Sequence, residues 1–334
     1  MNYRLPGWVL SFLLVIAGAD TPVAASELTS HPMAGKGPIE VRVQVVLLDL
    51  DKINGSEQNF TANLAYAAGW SDPRLRHDGP GEIIKPLGDI WHPRFQILNR
   101  QRLQETFAKE ARVSPEGEVI TVQRVWGNLS QPLVLKDFPF DQQELRVDLV
   151  ATGHEEESVT LVTDPEHPSI VSDRLAISDW HVIGWTAEPV AMRLGRGGKV
   201  FPVFRLAVAV KRNHRYHLVN FILPLVMIIC MSWVVFWINP KNANPRVSVS
   251  VTAMLTLIAY RFAVSASLPK IGYLTRMDWF ILGSSVLVFV SLLEVVLTSW
   301  QADNGRIESA CRTNRIMRLL APVVFAIIAY ASLA

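Results

Sequence analysis

The chain has 334 residues but only two cysteines, and both of them, Cys230 and Cys311, lie in its C-terminal half. The N-terminal half therefore has no disulfide bond and must be held together by packing alone. The eight histidines are scattered, and neither His-Glu-x-x-His nor Cys-x-x-Cys spacing occurs. Without such a constellation, the sequence argues against an enzyme and indicates neither a cofactor nor a bound metal. The net charge of +2 gives no indication of a nucleic-acid partner.

Charged side chains are scarce in the second half of the chain. From residue 217 to residue 300 they are Lys241, Arg246, Arg261, Lys270, Arg276, Asp278 and Glu294. The residues before 217 are instead an ordinary mixture of polar and apolar side chains. We therefore expect a water-exposed domain at residues 39–216 and a transmembrane domain at residues 217–334.

The first 38 residues have the pattern of a targeting segment followed by a linker. Arg4 precedes an apolar run at residues 8–17, and Val23-Ala24-Ala25 supplies small side chains for cleavage. The run is shorter than the roughly 20 apolar residues that a membrane span needs, which disfavours an additional span. We interpret residues 1–25 as a secretory signal peptide and residues 26–38 as a flexible N-terminal segment. The domain that follows is then expected outside the cytoplasm.

The N-terminal domain has the alternation of a β-protein. Residues 39–45 alternate between apolar and polar side chains, as a half-buried strand does. Similar alternation occurs at residues 118–125, 145–149 and 201–210. Glycine- and proline-rich turns, such as residues 78–81, separate these stretches. Many short strands with frequent turns predict a β-sandwich.

The second half contains four stretches long and apolar enough to cross a bilayer. They lie at residues 217–238, 247–268, 277–300 and 316–334. With the N-terminal domain outside, the first and third loops between them are cytoplasmic. Both are basic, through Lys241, Arg246, Arg306, Arg312 and Arg315, as the positive-inside rule expects. The second loop also carries Lys270 and Arg276, so the rule supports this topology without proving it.

The second span is the most polar of the four. On a helix, one stripe with four-three spacing contains Ser248, Thr252, Leu255, Ala259, Phe262 and Ala266. If five such helices surround an axis, the hydroxyl rings can replace part of the hydration shell of an ion, and the apolar rings can close the path by dewetting. The alternative is that small and hydroxyl side chains let membrane helices pack closely.

Several motifs resemble, in the right order, those of the pentameric ligand-gated ion channels, the Cys-loop receptor superfamily. They are Trp70-Ser71-Asp72-Pro73-Arg74-Leu75, Trp91-His92-Pro93, Phe138-Pro139-Phe140-Asp141-Gln142-Gln143, the set Arg212, Tyr216, Asn220 and Pro224, then Ser232-Trp233-Val234-Val235-Phe236-Trp237, Leu268-Pro269-Lys270-Ile271-Gly272-Tyr273, and Glu294. The similarity extends from about residue 39 to the C-terminus.

Two departures from the animal receptors resemble the bacterial members of this family. Gln131 and Leu145 stand where the loop cysteines would be, and the third loop, residues 301–315, is short. The resemblance implies a homopentamer in a bacterial inner membrane, with the N-terminal domain periplasmic. It also implies contact with membrane lipids, permeant ions, and an unidentified small-molecule agonist or proton as the signal that opens the pore.

By the same resemblance, the opening signal passes through the junction of the two domains. The residues expected there are Glu57, Pro139, Asp141, Arg212, Pro269 and Tyr273. Arg212 is expected to pair with Asp141, because a guanidinium suits a bidentate carboxylate. The alternative is a static ion pair with no role in switching.

The ligand site is less well defined. Two positions that are aromatic in amine-binding relatives are Ala65 and Thr152, which argues against a quaternary amine. The candidate ligand residues are Tyr66, Trp91, Trp126, Thr152, His154, Arg193 and Phe201. For Tyr66 and Trp126 a place in the core is favoured. The basic hairpin at residues 188–201 suits either an anionic ligand or simple solvation, and His154 and His217 raise the alternative of pH sensitivity.

The approach to the second span contains no acidic residue. Asn244, Pro245 and Arg246 resemble the mouth of anion-selective receptors, with the proline displaced by one position. The sequence therefore favours chloride over cations, unless Arg246 points away from the pore.

The competing interpretations are a non-conducting membrane receptor and a membrane-anchored enzyme. The polar stripe disfavours the first, and the missing catalytic constellation disfavours the second.

Overall fold

The computed structural model describes residues 28–32, 37–153, 158–194, 198–265 and 271–333. In these ranges a two-sheet β-domain is followed by four long helices, which confirms the predicted β-sandwich and transmembrane bundle. The interpretation of residues 1–25 as a signal peptide lies outside the described residues.

Twelve strands form the N-terminal domain. They are β1 Ile39–Asn54, β2 Asn59–Ser71, β3 Ile83–Pro86, β4 Phe95–Ile97, β5 Arg100–Glu105, β6 Glu110–Val113, β7 Glu118–Ser130, β8 Gln142–Ala151, β9 Val159–Thr163, β10 Ile170–Val171, β11 Trp180–Leu194 and β12 Lys199–Arg212. One sheet has the order β10-β1-β2-β7-β6-β3, with β5 paired to β7 and β9 to β1. The other has the order β11-β12-β8-β4.

The core lies between the two sheets and follows from strand alternation. In β1, Val41, Val43 and Val45 point inward and are buried, while the residues between them are more exposed. Trp70 from one sheet and Phe204 from the other are fully buried large side chains. The sandwich thus packs tightly without a disulfide bond, as its lack of cysteines requires.

The described part of the predicted flexible segment is packed against the sandwich, so that prediction is wrong for residues 28–32. The Trp91 backbone N–H donates to the Leu28 carbonyl at 2.7 Å. The His31 ring meets the Trp91 ring edge-on, with centroids 5.2 Å apart. These contacts give the segment a fixed position that its polar sequence did not indicate.

The four helices are α1 Arg215–Trp237, α2 Ala243–Ser265, α3 Arg276–Asp303 and α4 Ile307–Leu333. Each is long and apolar enough to cross a bilayer. All four begin earlier than predicted, and the difference is largest for α2, at residue 243 and not 247, and for α4, at residue 307 and not 316. Pro245 is compatible with the first turn of a helix, and the polar residues 307–315 extend α4 beyond the apolar part that the sequence pattern detects.

Exposed aromatic side chains mark the two edges of the membrane zone. Tyr216 and Trp279 lie at the end near the sandwich, and Trp237 and Trp300 at the other end. From Trp279 to Trp300 α3 rises by about 31 Å, the thickness of a bilayer core.

Helix α1 contains a π turn at Leu218–Ile222, just before Pro224. Proline has no N–H to continue the helical hydrogen bonds, and a π turn redistributes the bonds that it interrupts. The side-chain amide of Asn220 donates to the Tyr216 carbonyl at 3.0 Å within this irregular turn.

Candidate ion pathway and domain junction

Helix α2 has one face buried against the bundle and a different face open. The buried residues are Arg246, Ser250, Ala253, Leu257 and Val264. On the opposite side, all the described residues of the predicted stripe are exposed: Ser248, Thr252, Leu255, Ala259 and Phe262. Leu255 is 61 % exposed and Phe262 75 %. Ala266 lies outside the described residues.

The threonine hydroxyls on α2 are bonded to their own helix. Thr252 Oγ1 donates to the Ser248 carbonyl, and Thr256 Oγ1 donates to the Thr252 carbonyl, both at 2.8 Å. Each donation uses the one hydroxyl hydrogen and leaves the oxygen lone pairs available to a passing ion.

Arg246 does not line the mouth of this pathway. Its side chain is fully buried and faces α3 and α4. It donates to Glu294 Oε2 at 3.3 Å, Thr298 Oγ1 at 2.9 Å and Asn314 Oδ1 at 2.9 Å. The prediction that Arg246 provides a cation at the mouth is therefore wrong, because burial beside a carboxylate neutralises its field. Asn244 and Pro245 are exposed.

The buried arginine belongs to a polar network that joins all four helices at their cytoplasmic ends. Asn314 Nδ2 and Arg318 Nε both donate to the Phe236 carbonyl at the end of α1, at 2.6 and 2.7 Å. Glu294 could be singled out from the sequence, and Thr298 carried the same signal, since polar side chains inside membrane spans are rare and face partners. Asn314 carried no such signal, because it precedes the predicted fourth span.

Removing one charge of the Arg246–Glu294 pair is expected to destabilise the transmembrane domain by about 3–5 kcal/mol, because the remaining charge stays buried without compensation. Thermal unfolding of purified protein should show this for Arg246→Met and for Glu294→Leu. The double variant is expected to be clearly more stable than either single variant. A matched surface control is Arg146→Met, which breaks a pair with Glu144 that is half exposed and should cost about 1 kcal/mol or less. Equal losses in the single and double variants would contradict this account.

The predicted Arg212–Asp141 pair is in contact. Arg212 Nε and Nη2 donate to the two Asp141 carboxylate oxygens at 2.7 and 3.1 Å, so the pair is bidentate. The Asp141 side chain is 1 % exposed. The guanidinium also stacks 4.1 Å from the ring centroid of Trp180, and Gln143 Nε2 donates to Asp141 Oδ2 at 2.8 Å. The last residue of β12, just before α1, is thereby tied to the loop that precedes β8.

The loop between β7 and β8 also contacts the start of α3. The Arg276 backbone N–H donates to the Lys136 carbonyl at 3.0 Å, and the Met277 N–H to the Phe138 carbonyl at 3.2 Å. The Leu135 N–H donates to the Tyr273 hydroxyl at 2.9 Å. This loop therefore holds the sandwich to α3 as well as to the entry of α1.

The remaining residues predicted at the domain junction are Pro139, Glu57 and Pro269. Pro139 follows Phe138 in the same loop, through a cis peptide bond. Glu57 is exposed and accepts from Asn59 Nδ2 at 3.3 Å. The turn that carries Glu57 meets the loop through Gln58, whose Oε1 accepts from the Leu133 N–H at 2.6 Å. Pro269 lies outside the described residues.

The candidate ligand residues that the structure describes do not form one site within a single chain. Trp91 is buried in the sandwich core against Trp70, so its assignment as a ligand residue is wrong. Trp126 is 45 % exposed and donates to Asp51 at 2.8 Å, so its favoured place in the core is also wrong. Arg193 and Phe201 lie near the end of the β11–β12 hairpin. His154 lies outside the described residues.

Tyr66 and Thr152 lie on either side of the segment that leads into β4. The Tyr66 ring meets Phe95 edge-on at 6.1 Å, and Thr152 Oγ1 donates to the Arg94 carbonyl at 2.9 Å. Tyr66 and Glu105 line a small cavity together with other charged and polar side chains. Burial, aided by the Glu105 charge, raises the pKa of Tyr66 to about 12, so its hydroxyl stays neutral.

Comparison with known proteins relates both domains to one group. The model of the neurotransmitter-gated ion-channel ligand binding domain matches residues 27–193, and that of the neurotransmitter-gated ion-channel transmembrane region matches residues 221–306. A proton-gated ion channel of Gloeobacter violaceus is 24% identical over 309 residues, which cover 91% of this chain and 85% of that protein. A glutamate-gated chloride channel subunit beta of Haemonchus contortus is 27% identical over 299 residues, covering 84% and 67%.

Proposed function

The chain belongs to the neurotransmitter-gated ion-channel family, and we propose that it is one subunit of a homopentameric channel whose pore is lined by α2. The observation that carries the pore assignment is the exposed stripe of α2, which lies opposite the face that packs against the other helices. A ring of identical subunits brings this stripe together around one axis, so that the hydroxyls of Ser248 and Thr252 and the apolar side chains of Leu255 and Phe262 form successive rings.

Channel opening is proposed to follow binding of a small molecule or a proton to the sandwich. The relatives described above include one channel named for protons and one named for glutamate, so the agonist class stays open between these chemistries. The proposed route from the sandwich to the pore passes through the Arg212–Asp141 pair and the contacts of the β7–β8 loop with α3.

We place the channel in a bacterial inner membrane, with the sandwich on the periplasmic side. The basic first and third loops support this orientation. The third loop is also very short in the structure, because α3 ends at Asp303 and α4 begins at Ile307.

Chloride is the proposed permeant ion. The first turn of α2 contains no acidic side chain, and the N-terminal end of a helix carries a partial positive charge. Lys241 is exposed just before this turn. A cation pathway is the second candidate, because the Arg246 charge is buried against Glu294 and the bonded hydroxyl of Thr252 presents lone pairs.

The reversal potential of currents in planar bilayers decides between these candidates. Purified protein is screened against pH steps, small anions and amines, with different sodium chloride concentrations on the two sides. We expect the reversal potential to follow the equilibrium potential of chloride. A reversal potential that follows the equilibrium potential of sodium would show that the pathway conducts cations. An assembled protein that conducts under none of these conditions, even when its pore is made polar, would instead support a non-conducting receptor.

A further inference from the structure

Arg261 places a full charge within the membrane zone, and it has neither a hydrogen bond nor an ion pair among the residues that the structure describes. Its side chain is exposed in the single chain. The preceding residue, Tyr260, fixes its depth, since the Tyr260 hydroxyl donates to the Phe221 carbonyl at 2.6 Å. Phe221 lies about 7.5 Å along α1 from Tyr216 at the membrane edge. A guanidinium at that depth is costly unless acceptors surround it.

Arg261 lies on the flank of α2 that faces away from α1 of the same chain. Leu257 and Val264 mark the buried face of the helix. At about 100° per residue, Tyr260 and Arg261 fall on opposite sides of that face. Tyr260 contacts α1, so Arg261 is on the other side. In a ring of identical subunits, the flank away from one subunit's α1 meets the α1 of the next subunit.

The outer end of α1 offers an acceptor at this same depth. Asn220 is exposed, and the donation of its amide to the Tyr216 carbonyl leaves its side-chain oxygen free to accept. A guanidinium has donors only, and the Asn220 side-chain oxygen is an acceptor, so the two are chemically complementary.

We propose that Arg261 of one subunit crosses the subunit interface and donates a hydrogen bond to the Asn220 side-chain oxygen of the adjacent copy. The site is incomplete in a single chain, since no described residue of that chain accepts from Arg261. The inference rests on the proposed ring of subunits. This contact joins α2 of one subunit to α1 of the next subunit, and α1 begins just after Arg212.

Crosslinking between differently tagged chains tests this contact. In a background with Cys230→Ser and Cys311→Ser, one chain carries Arg261→Cys and the other Asn220→Cys. A short membrane-permeable bis-maleimide, which adds one cysteine thiol at each end, is used because an arginine spans a longer gap than the Cα separation of about 4.4–6.8 Å that a disulfide allows. We expect a crosslinked dimer that carries both tags.

The matched control replaces Asn220→Cys by Met227→Cys, which is 64 % exposed on the same helix but about two turns deeper, and it should give no such dimer. Equal crosslinking in the two pairs, or none in either, would overturn the contact if native mass spectrometry shows an intact oligomer. Monomers before crosslinking would overturn the ring itself and the inference with it. Arg261→Met should also lower the temperature at which the oligomer dissociates, more than Arg261→Lys does, and an unchanged temperature would count against the contact.

Discussion

Replacing Arg212 with glutamine should abolish agonist-evoked current while the oligomer still assembles. The substitution leaves the Asp141 carboxylate buried without its bidentate partner, a change that costs about 3–5 kcal/mol in comparable buried pairs. The pair ties the β7–β8 loop to the strand that enters α1, so its loss uncouples the sandwich from the pore. Current in bilayers and oligomer mass are measured on the same preparation.

A second arginine in the same sandwich supplies the matched control. Arg205 donates to the two oxygens of Asp148 at 2.6 and 3.1 Å, nearly the geometry of the junction pair, but between β12 and β8 away from the membrane. Arg205→Gln should weaken the sandwich yet keep the response to agonist. Normal current in Arg212→Gln would show that the junction pair is static. Equal loss in both variants would show that stability, and not coupling, is responsible.

Leu255→Thr is expected to make the channel conduct without agonist. Five threonines in place of five leucines remove the apolar ring that keeps the constriction dry. A change of about 1.4 kcal/mol in the free-energy difference between the closed and open states already shifts the ratio of their populations tenfold. The measurement is the holding current of reconstituted protein before any agonist is added.

Ile258→Thr makes the same kind of change on the same helix, at a residue that is 41 % exposed but about 60° away from Leu255 around the helix axis, on the side opposite to Thr252, at 3.6 residues per turn. It should leave the resting current close to that of the wild type. A resting current that rises equally in both variants would point to general loosening of the bundle. If Leu255→Thr has no resting current, Leu255 does not form the constriction.

Features with a short repeat could be predicted from the sequence. The strand alternation at residues 39–45 and the four-three stripe of α2 each depend on neighbours within the same element, and the structure has both. The direction of Arg246 could not be predicted in this way. One residue step turns a helix by about 100°, and the partners that hold Arg246 inward come from α3 and α4. Trp91 and Trp126 show the same limit, since burial depends on which sheet face another segment covers.

The shared acceptor at Phe236 has a consequence for how the protein is made. During synthesis the first three spans emerge before α4, and in that state the Phe236 carbonyl lacks both of its donors, Asn314 and Arg318. Arg246 likewise lacks one of its three acceptors. A chain that stops before α4 therefore lacks the hydrogen bonds that tie the end of α1 and the start of α2 to the last helix. We expect such a chain to form a less stable bundle, because α4 completes the polar network that the other three helices share.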